Sequence, residues 1–208
     1  PMRPNNGGLF TLGGVLEAQG WEPLYIYGGY SYFDNMASFF GGNGYTVIDR
    51  RAIDKQDIHH ENIWGVADED LFDLALREID ARTAGGKRVF AHVMTTSNHR
   101  PFTYPEGRID IPSGKSREGA VKYTDYAIGH FVDKARERPW FGKTIFVFVA
   151  DHTSIARGRS DLPMERFHIP MVVWAPGLVE PAKVDALASQ IDVAPTLLGL
   201  LELRYVSE

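Results

Sequence analysis

Residues 144–150 read Thr-Ile-Phe-Val-Phe-Val-Ala and run directly into Asp151-His152. Every position after Thr144 is apolar, and β-branched and aromatic side chains dominate, which predicts a strand. A run apolar on both faces is expected where helices cover both sides of a parallel sheet. Outward from this run, short apolar stretches alternate with stretches of helical spacing. Leu24–Tyr27, Tyr45–Ile48, Arg88–Met94 and Met171–Trp174 predict further strands. Leu12, Val15, Leu16 and Ala18 fall at helical spacing, with Gly20 placed to end that helix. Asp68-Glu69-Asp70 puts acid at the start of a helix whose apolar face is Leu71, Phe72, Ala75, Leu76 and Ile79. Residues 119–137 predict another, with Val121, Ile128, Phe131 and Val132 toward the core. Asp192-Val193-Ala194-Pro195 opens a last short helix, with Asp192 as its N-cap. The alternation predicts an α/β fold, a mostly parallel sheet flanked by helices, in one domain. The stretch from Thr95 to Lys115 has no periodicity and predicts a long loop, of the kind that is functional or mobile.

Composition narrows the function. The 208 residues are 44% hydrophobic, 24% charged and 12% aromatic, the profile of a globular chain. A net charge of −5 argues against a basic nucleic-acid surface. No apolar run within these residues approaches the ~18–20 that a membrane helix needs. The absence of cysteine excludes disulfides, thiolate metal sites and a Cys nucleophile. Pro1–Asn6 has neither a basic nor an apolar leader region, and the chain is expected to be cut from a longer protein.

The residues that could carry chemistry gather at strand ends. Asp151-His152 follows the strongest strand, where ligands bind in open α/β sheets. A carboxylate and an imidazole in a tight turn suit Zn²⁺, Mn²⁺ or Mg²⁺. Equally, Asp151 could cap the next turn with His152 solvated. Thr95–Pro101 follows Arg88–Met94 and is expected at the same edge; its His99 and Arg100 suit an anionic phosphoryl or sulfuryl oxygen. A polar loop with its own turn chemistry is the plainer reading. His168, before the last strand, is a candidate substrate contact. Gly28-Gly29 could bring backbone amides to an anion, and Tyr30 and its aromatic neighbours could line a pocket. His92 reads as a core histidine, His59-His60 as exposed, and the acid pairs Glu69/Asp70 and Glu17/Glu22 as helix-surface charges. No GxSxG elbow is present, and no nucleophile stands out.

Taken together, Leu9–Gly20, Tyr27–Tyr45, Trp64–Phe72, His92–Tyr104, Val149–Thr153, His168–Gly177 and Gln190–Leu201 resemble, in order and spacing, the sulfatase-like branch of the alkaline phosphatase superfamily. Within it, the resemblance is to the lipoteichoic acid synthase and phosphoglycerol transferase group. It implies that residues 1–208 are the C-terminal part of a single sulfatase-like catalytic domain. It also implies a metal site shared by a Thr nucleophile, a Glu, an Asp and a His. Asp151 and His152 match the Asp-His half; the Thr and Glu would lie upstream of residue 1, so this chain holds no catalytic nucleophile and is expected to be inactive alone. His99 matches a histidine that contacts the transferred phosphoryl group, with Arg100, Tyr30 and His168 as further substrate contacts. Mn²⁺ is the expected ion, with Zn²⁺ or Mg²⁺ as alternatives.

The implied reaction passes through a phospho-threonine, from a phospholipid headgroup donor to a glycan or polyol-phosphate acceptor. It would run outside the cytoplasm, with the parent protein held in the cell membrane by an N-terminal anchor. An uncovered sheet edge could pair two copies of the chain. Tyr27, Asp34 and Met36 stand where the lipoteichoic branch has a His, a Trp and an Arg, so the headgroup pocket differs. Thr153 stands where the family often has Gly. A sulfatase or phosphodiesterase using water, and a non-catalytic module binding an anionic glycan or lipid headgroup, are the competing readings.

Overall fold

The computed structural model describes residues 5–153 and 167–204. The chain divides into two compact units, Pro1–Glu137 and Arg138–Glu208, and each is described by itself. The architecture is α/β, with a mostly parallel sheet flanked by helices.

In the first unit, α1 (Leu12–Ala18) leads through Gly20, at φ +79°, into β1 (Trp21–Tyr27). Then follow α2 (Met36–Gly41), β2 (Thr46–Asp49), α3 (Asp68–Ala84), β3 (Arg88–Met94) and α4 (Arg117–Arg136). The sheet order is β2-β1-β3, all parallel, with Leu24 opposite Thr46 and Ala91. The central strand is enclosed on both faces, and its alternation sorts two cores. Leu24 and Ile26 pack with Ile48, Val66, Leu71 and Leu74 on the α3 side. Tyr25 and Tyr27 pack with Met36 and Tyr45, joined by Phe40, whose ring stacks on Tyr25 with centroids 3.6 Å apart.

Two backbone segments approach too closely for side chains. A Cβ on Gly65 would lie 2.4 Å from the Gly28 carbonyl oxygen, and one on Gly29 would lie 2.4 Å from that of Trp64. Val66 N–H donates to that same Gly28 carbonyl at 2.9 Å. The glycines after β1 therefore serve close packing of two loops. Their packing carries Tyr30 and Trp64 out of one junction.

The acidic start of α3 is buried, not a surface feature. Asp68 is fully enclosed, and Glu69 and Asp70 are 5% and 3% exposed. One Asp68 oxygen accepts the amides of Thr96 (3.1 Å) and Ser97 (3.0 Å), and the other accepts the Thr124 hydroxyl (2.8 Å). The Asp68 amide in turn donates to Ser97 Oγ at 3.2 Å. One carboxyl thus ties the end of β3 and α4 to the N-terminus of α3. Burial pushes this carboxyl above its ordinary range, against the downward pull of those hydrogen bonds.

The loop from Thr95 to Lys115 has no regular structure, as expected, but it is packed. Tyr104 is 1% exposed, stacks on Tyr123 at 4.9 Å, and donates its hydroxyl to the Ile111 carbonyl at 3.0 Å. Val121 is 56% exposed, so it is not one of the core residues of α4; Ala120, Tyr123, Ala127 and Phe131 fill that role. Glu22 lies on β1, paired with Arg82 at 2.7 Å, rather than on a helix surface.

The second unit pairs β4 (Phe146–Val149) with β5 (Met171–Trp174) in antiparallel register, Phe146 opposite Trp174. The apolar run had predicted a parallel neighbour; composition alone does not encode the direction of the partner strand. Phe141, Phe146 and Trp174 form an aromatic cluster with centroids 5.3–5.6 Å apart. Asp192 stands at the N-cap position of α5 (Val193–Leu200), as expected, but its side chain turns back to accept the Ser189 amide at 2.7 Å in a capping box that belongs to the preceding turn Gln190–Asp192.

The Asp68 junction predicts a specific contrast. Asp68→Ala strands two buried amides and is expected to lower stability by about 2–4 kcal/mol. Asp68→Asn keeps the oxygen that accepts both amides, and the Thr124 hydroxyl can turn to accept from the new amide. Its loss is expected to be less than half as large. Urea denaturation of both variants measures the difference.

Candidate functional site

The turn after β3 is shaped by the buried pair Thr96 and Ser97 and presents the next residues outward. Thr96 Oγ1 donates to the Val66 carbonyl at 3.0 Å, and the His99 amide closes a turn on the Thr96 carbonyl at 3.2 Å. The His99 ring lies flat on Trp64, with centroids 4.1 Å apart and planes 16° from parallel. Trp64 Nε1–H donates to the Arg100 carbonyl at 2.5 Å. Stacking and hydrogen bond together hold His99 in one orientation while the Arg100 side chain stays exposed. These are the two residues expected from the sequence to contact a phosphoryl group.

Tyr30 emerges, 41% exposed, from the turn after β1. The next residue points inward: Ser31 donates its amide (2.9 Å) and hydroxyl (2.7 Å) to the buried Asp49. Arg51 clamps the same carboxylate through Nε at 2.9 Å and Nη2 at 2.8 Å. Burial alone would raise the Asp49 carboxyl; the bonds from Arg51 and Ser31 outweigh it and bring the carboxyl down to about 2.

In the second unit, Asp151 and His152 follow β4, and both side chains are exposed. His152 Nδ1 lies 2.7 Å from the Thr153 carbonyl oxygen. A carbonyl only accepts, so Nδ1 carries the proton and the Nε2 lone pair is left for a ligand. That Nε2 lies 3.3 Å from Asp151 Oδ2. Two atoms each about 2.0–2.1 Å from one tetrahedral ion would be about 3.3 Å apart, so the donor set fits a divalent cation. Gln190 Nε2 fixes the turn from outside by donating to the carbonyls of Ala150 (3.0 Å) and Asp151 (2.7 Å). His168 is exposed in the stretch before β5.

Three other histidines need a different account. The His92 ring packs edge-on against Tyr25 and Phe40 at 5.3 and 5.4 Å, and burial pulls it below its ordinary value, although the residue as a whole keeps solvent exposure. His59 is solvent-facing, yet its Nδ1 is 2.5 Å from Asp70 Oδ1, and Asp70 Oδ2 accepts the His59 amide at 3.0 Å. The His60 ring is partly buried. His59, Glu69 and Asp70 come within 4.8 Å of one another, close enough to share a metal. Their donors are already engaged, however. Arg108 grips both Glu69 oxygens at 3.0–3.2 Å, and the groove of about 220 Å³ beside them is also lined by Lys134, His130 and Tyr126. The cluster works as a clamp between the His59 loop, α3 and the Arg108 loop. Sequence spacing carried no sign of it.

The fold is that of an α/β protein of the alkaline phosphatase type. The chain belongs to the sulfatase family, whose profile matches residues 3–203. Among curated relatives, it is 26% identical over 205 residues to phosphoglycerol transferase I of Xanthomonas campestris pv. campestris (strain B100), covering 92% of this chain and 29% of that protein. It is 24% identical over 216 residues to lipoteichoic acid synthase 2 of Bacillus subtilis (strain 168), covering 93% and 32%. Among solved structures, an alkaline phosphatase superfamily protein from Vibrio parahaemolyticus superposes with a TM-score of 0.90 at 38% identity, over 97% of this chain and 50% of that one. The lipoteichoic acid synthase LtaP from Listeria monocytogenes has the same fold, with a TM-score of 0.81 at 21% identity, over 96% and 54%. The chain therefore spans about a third of the length of these curated relatives.

The His59–Asp70 contact sets a pH dependence. The hydrogen bond to Asp70, and then its charge, raise His59 above its ordinary 6.5. The contribution to stability is fully present below about pH 6.5 and is lost as pH rises through the raised value. A ¹H–¹⁵N titration of the ring should give a midpoint above 6.5, and Asp70→Asn should return it toward that value.

Proposed function

We propose that this chain is the metal-holding, phosphoryl-contacting portion of an enzyme that transfers a phosphoglycerol headgroup from a phospholipid to a glycan or polyol-phosphate acceptor. The observation that carries the reading is the Asp151–His152 turn. There one carboxylate oxygen and one imidazole nitrogen, the latter fixed in its tautomer by Thr153, stand 3.3 Å apart. Membership of the sulfatase family and the similarity to phosphoglycerol transferase I and lipoteichoic acid synthase 2 support it.

A divalent ion, Mn²⁺ in this reading, supplies positive charge that lowers the pKa of a bound hydroxyl and offsets charge on a phosphoryl group. Asp151 contributes a hard oxygen and His152 a neutral nitrogen to hold it. His99, oriented by Trp64, donates to a phosphoryl oxygen, and the Arg100 guanidinium offsets the charge that develops there. The nucleophile is a threonine outside these 208 residues, and the attacked bond is the phosphodiester of the lipid headgroup. Tyr30 in the first unit and His168 in the second are, each by itself, further substrate contacts in this reading. The reaction runs at the outer side of the cell membrane. Among the described residues no helix is long and apolar enough to cross a membrane.

The test is transfer from a labelled phosphatidylglycerol by the complete protein. Asp151→Ala and His152→Ala are each expected to lower the rate at least about 100-fold, and the 208-residue chain alone is expected to give no turnover. Retained transfer in Asp151→Ala, or turnover by the isolated chain, would overturn the assignment. Release of glycerol phosphate to water without an acceptor product would replace transfer with hydrolysis.

A further inference from the structure

The indole on which His99 lies stands at the tip of a short hairpin. The His60 carbonyl accepts the Ala67 amide at 2.8 Å, Glu61 and Val66 form an antiparallel bridge, and the Asn62 amide donates to the Gly65 carbonyl at 2.9 Å. The Val66 amide ties the returning arm to Gly28. All of these are main-chain bonds, so they hold the base of the hairpin whatever side chains it carries. The tip is supported differently: Ile63 is 87% exposed, and burial of its side chain does not anchor the turn.

The Asn62 side chain anchors it through both ends of its amide. Oδ1 accepts the Trp64 amide at 2.8 Å, and Nδ2 donates to Thr103 Oγ1 at 3.1 Å. A backbone N–H only donates, so the atom facing Trp64 is the oxygen and the NH₂ is left for Thr103. Thr103 is a firm post, because the next residue is the buried Tyr104, whose amide donates to Ser113 Oγ at 2.8 Å. Between Thr103 and the site, the Phe102 amide donates to the His99 carbonyl at 2.8 Å, and the Phe102 carbonyl accepts the Gly114 amide at 3.0 Å. The contacts close a ring. Asn62 reaches Thr103, the loop runs back to Arg100 and His99, Trp64 meets both of these, and the Trp64 amide returns to Asn62.

A residue in such a ring acts on geometry. Stacking by itself lets one flat ring slide over another, so the position of His99 depends on where the indole is held. Phe33 braces the indole edge-on at 5.8 Å but is itself 42% exposed. The directional restraints are the bond from Trp64 Nε1 to the Arg100 carbonyl and the two bonds of Asn62. We propose that Asn62 is a positioning residue for the phosphoryl contact: its amide locks the Trp64 hairpin onto the loop at Thr103 and thereby fixes the plane and reach of the His99 ring. It acts through Trp64. That His99 meets a phosphoryl group rests on the transfer reaction proposed above; that Asn62 sets the His99 ring does not.

The experiment uses the complete protein, ¹³C-labelled at its histidine rings. Protons over an indole face resonate upfield, so the His99 ring, assigned through His99→Gln, is expected upfield of free imidazole, and Trp64→Leu should remove the displacement. Asn62→Ala should remove about half of it or more, the loosening expected when a supporting contact is lost. Asn62→Asp keeps an oxygen for the Trp64 amide and an acceptor to which the Thr103 hydroxyl can turn, and should restore the displacement. Thr103→Val, which cuts one bond of the two, should fall between. These variants should melt close to the parent, because the base of the hairpin stays paired. In the transfer assay, Asn62→Ala should lower kcat at least about tenfold with KM within about twofold. In the His99→Gln background the same substitution should have no further effect. An unchanged His99 shift in Asn62→Ala would overturn the proposal. So would equal losses of transfer with and without the His99 ring, which would make Asn62 a structural residue only. A displacement that depends on Asn62 in a protein that transfers nothing would strike the transferase reading and leave the positioning of His99 standing.

Discussion

Asp68 sits where three chain segments meet, and the functional edge of the first unit depends on its two oxygens. They accept from Thr96, Ser97 and Thr124, while the Asp68 amide donates to Ser97. The residues presented beyond this junction, His99 and Arg100, inherit their placement from it. A buried carboxyl is costly unless its acceptor capacity is filled. Here backbone amides fill it, so the cost of burial becomes a constraint on loop shape. The same logic recurs at Asp49, which fixes Ser31 and thereby turns Tyr30 and Tyr32 outward.

Much of the fold was legible because apolar periodicity is local. The strands near Leu24, Val47, Phe90 and Val172, and the helices starting near Asp68 and Arg117, follow from residues within one or two turns of themselves. Partner direction is not local, which is why β4 and β5 form an antiparallel pair where the sequence suggested a parallel one. Asp192 opens the last helix as the sequence suggests, but a turn just before it, capped by Ser189, takes up the Asp192 side chain, and local pattern did not show that turn.

The candidate site was legible to a different degree in its parts. Asp151-His152 stood out because two ligand types meet at the end of the most apolar run. His99 and Arg100 stood out because they follow a strand. The acids at the start of α3 were misjudged, since a carboxylate in a first helical turn suits the helix dipole whether it is solvated or enclosed. Its burial depends on Thr96, Ser97, Arg108 and Thr124, which are 28–56 residues away. His59 was judged exposed, which it is, but its bond to Asp70 crosses a loop that carries no pattern. The aromatics after β1 were visible as composition, and only the inward turn of Ser31 shows that Tyr30 and Tyr32 face outward.

Among the described residues, two clusters bring a histidine close to a carboxylate, and they differ in what remains available. At His59 the carboxylates are filled by Arg108 and by backbone amides. At His152 the ring proton is committed to Thr153 and Nε2 is left beside Asp151. The second of these is the cation site we propose. Paramagnetic broadening of ¹³C-histidine ring resonances on adding Mn²⁺ distinguishes them in a single titration. Broadening centred on His152, and abolished in Asp151→Ala, is the predicted result. Broadening centred on His59, with His152 unaffected, would contradict the assignment of the metal site.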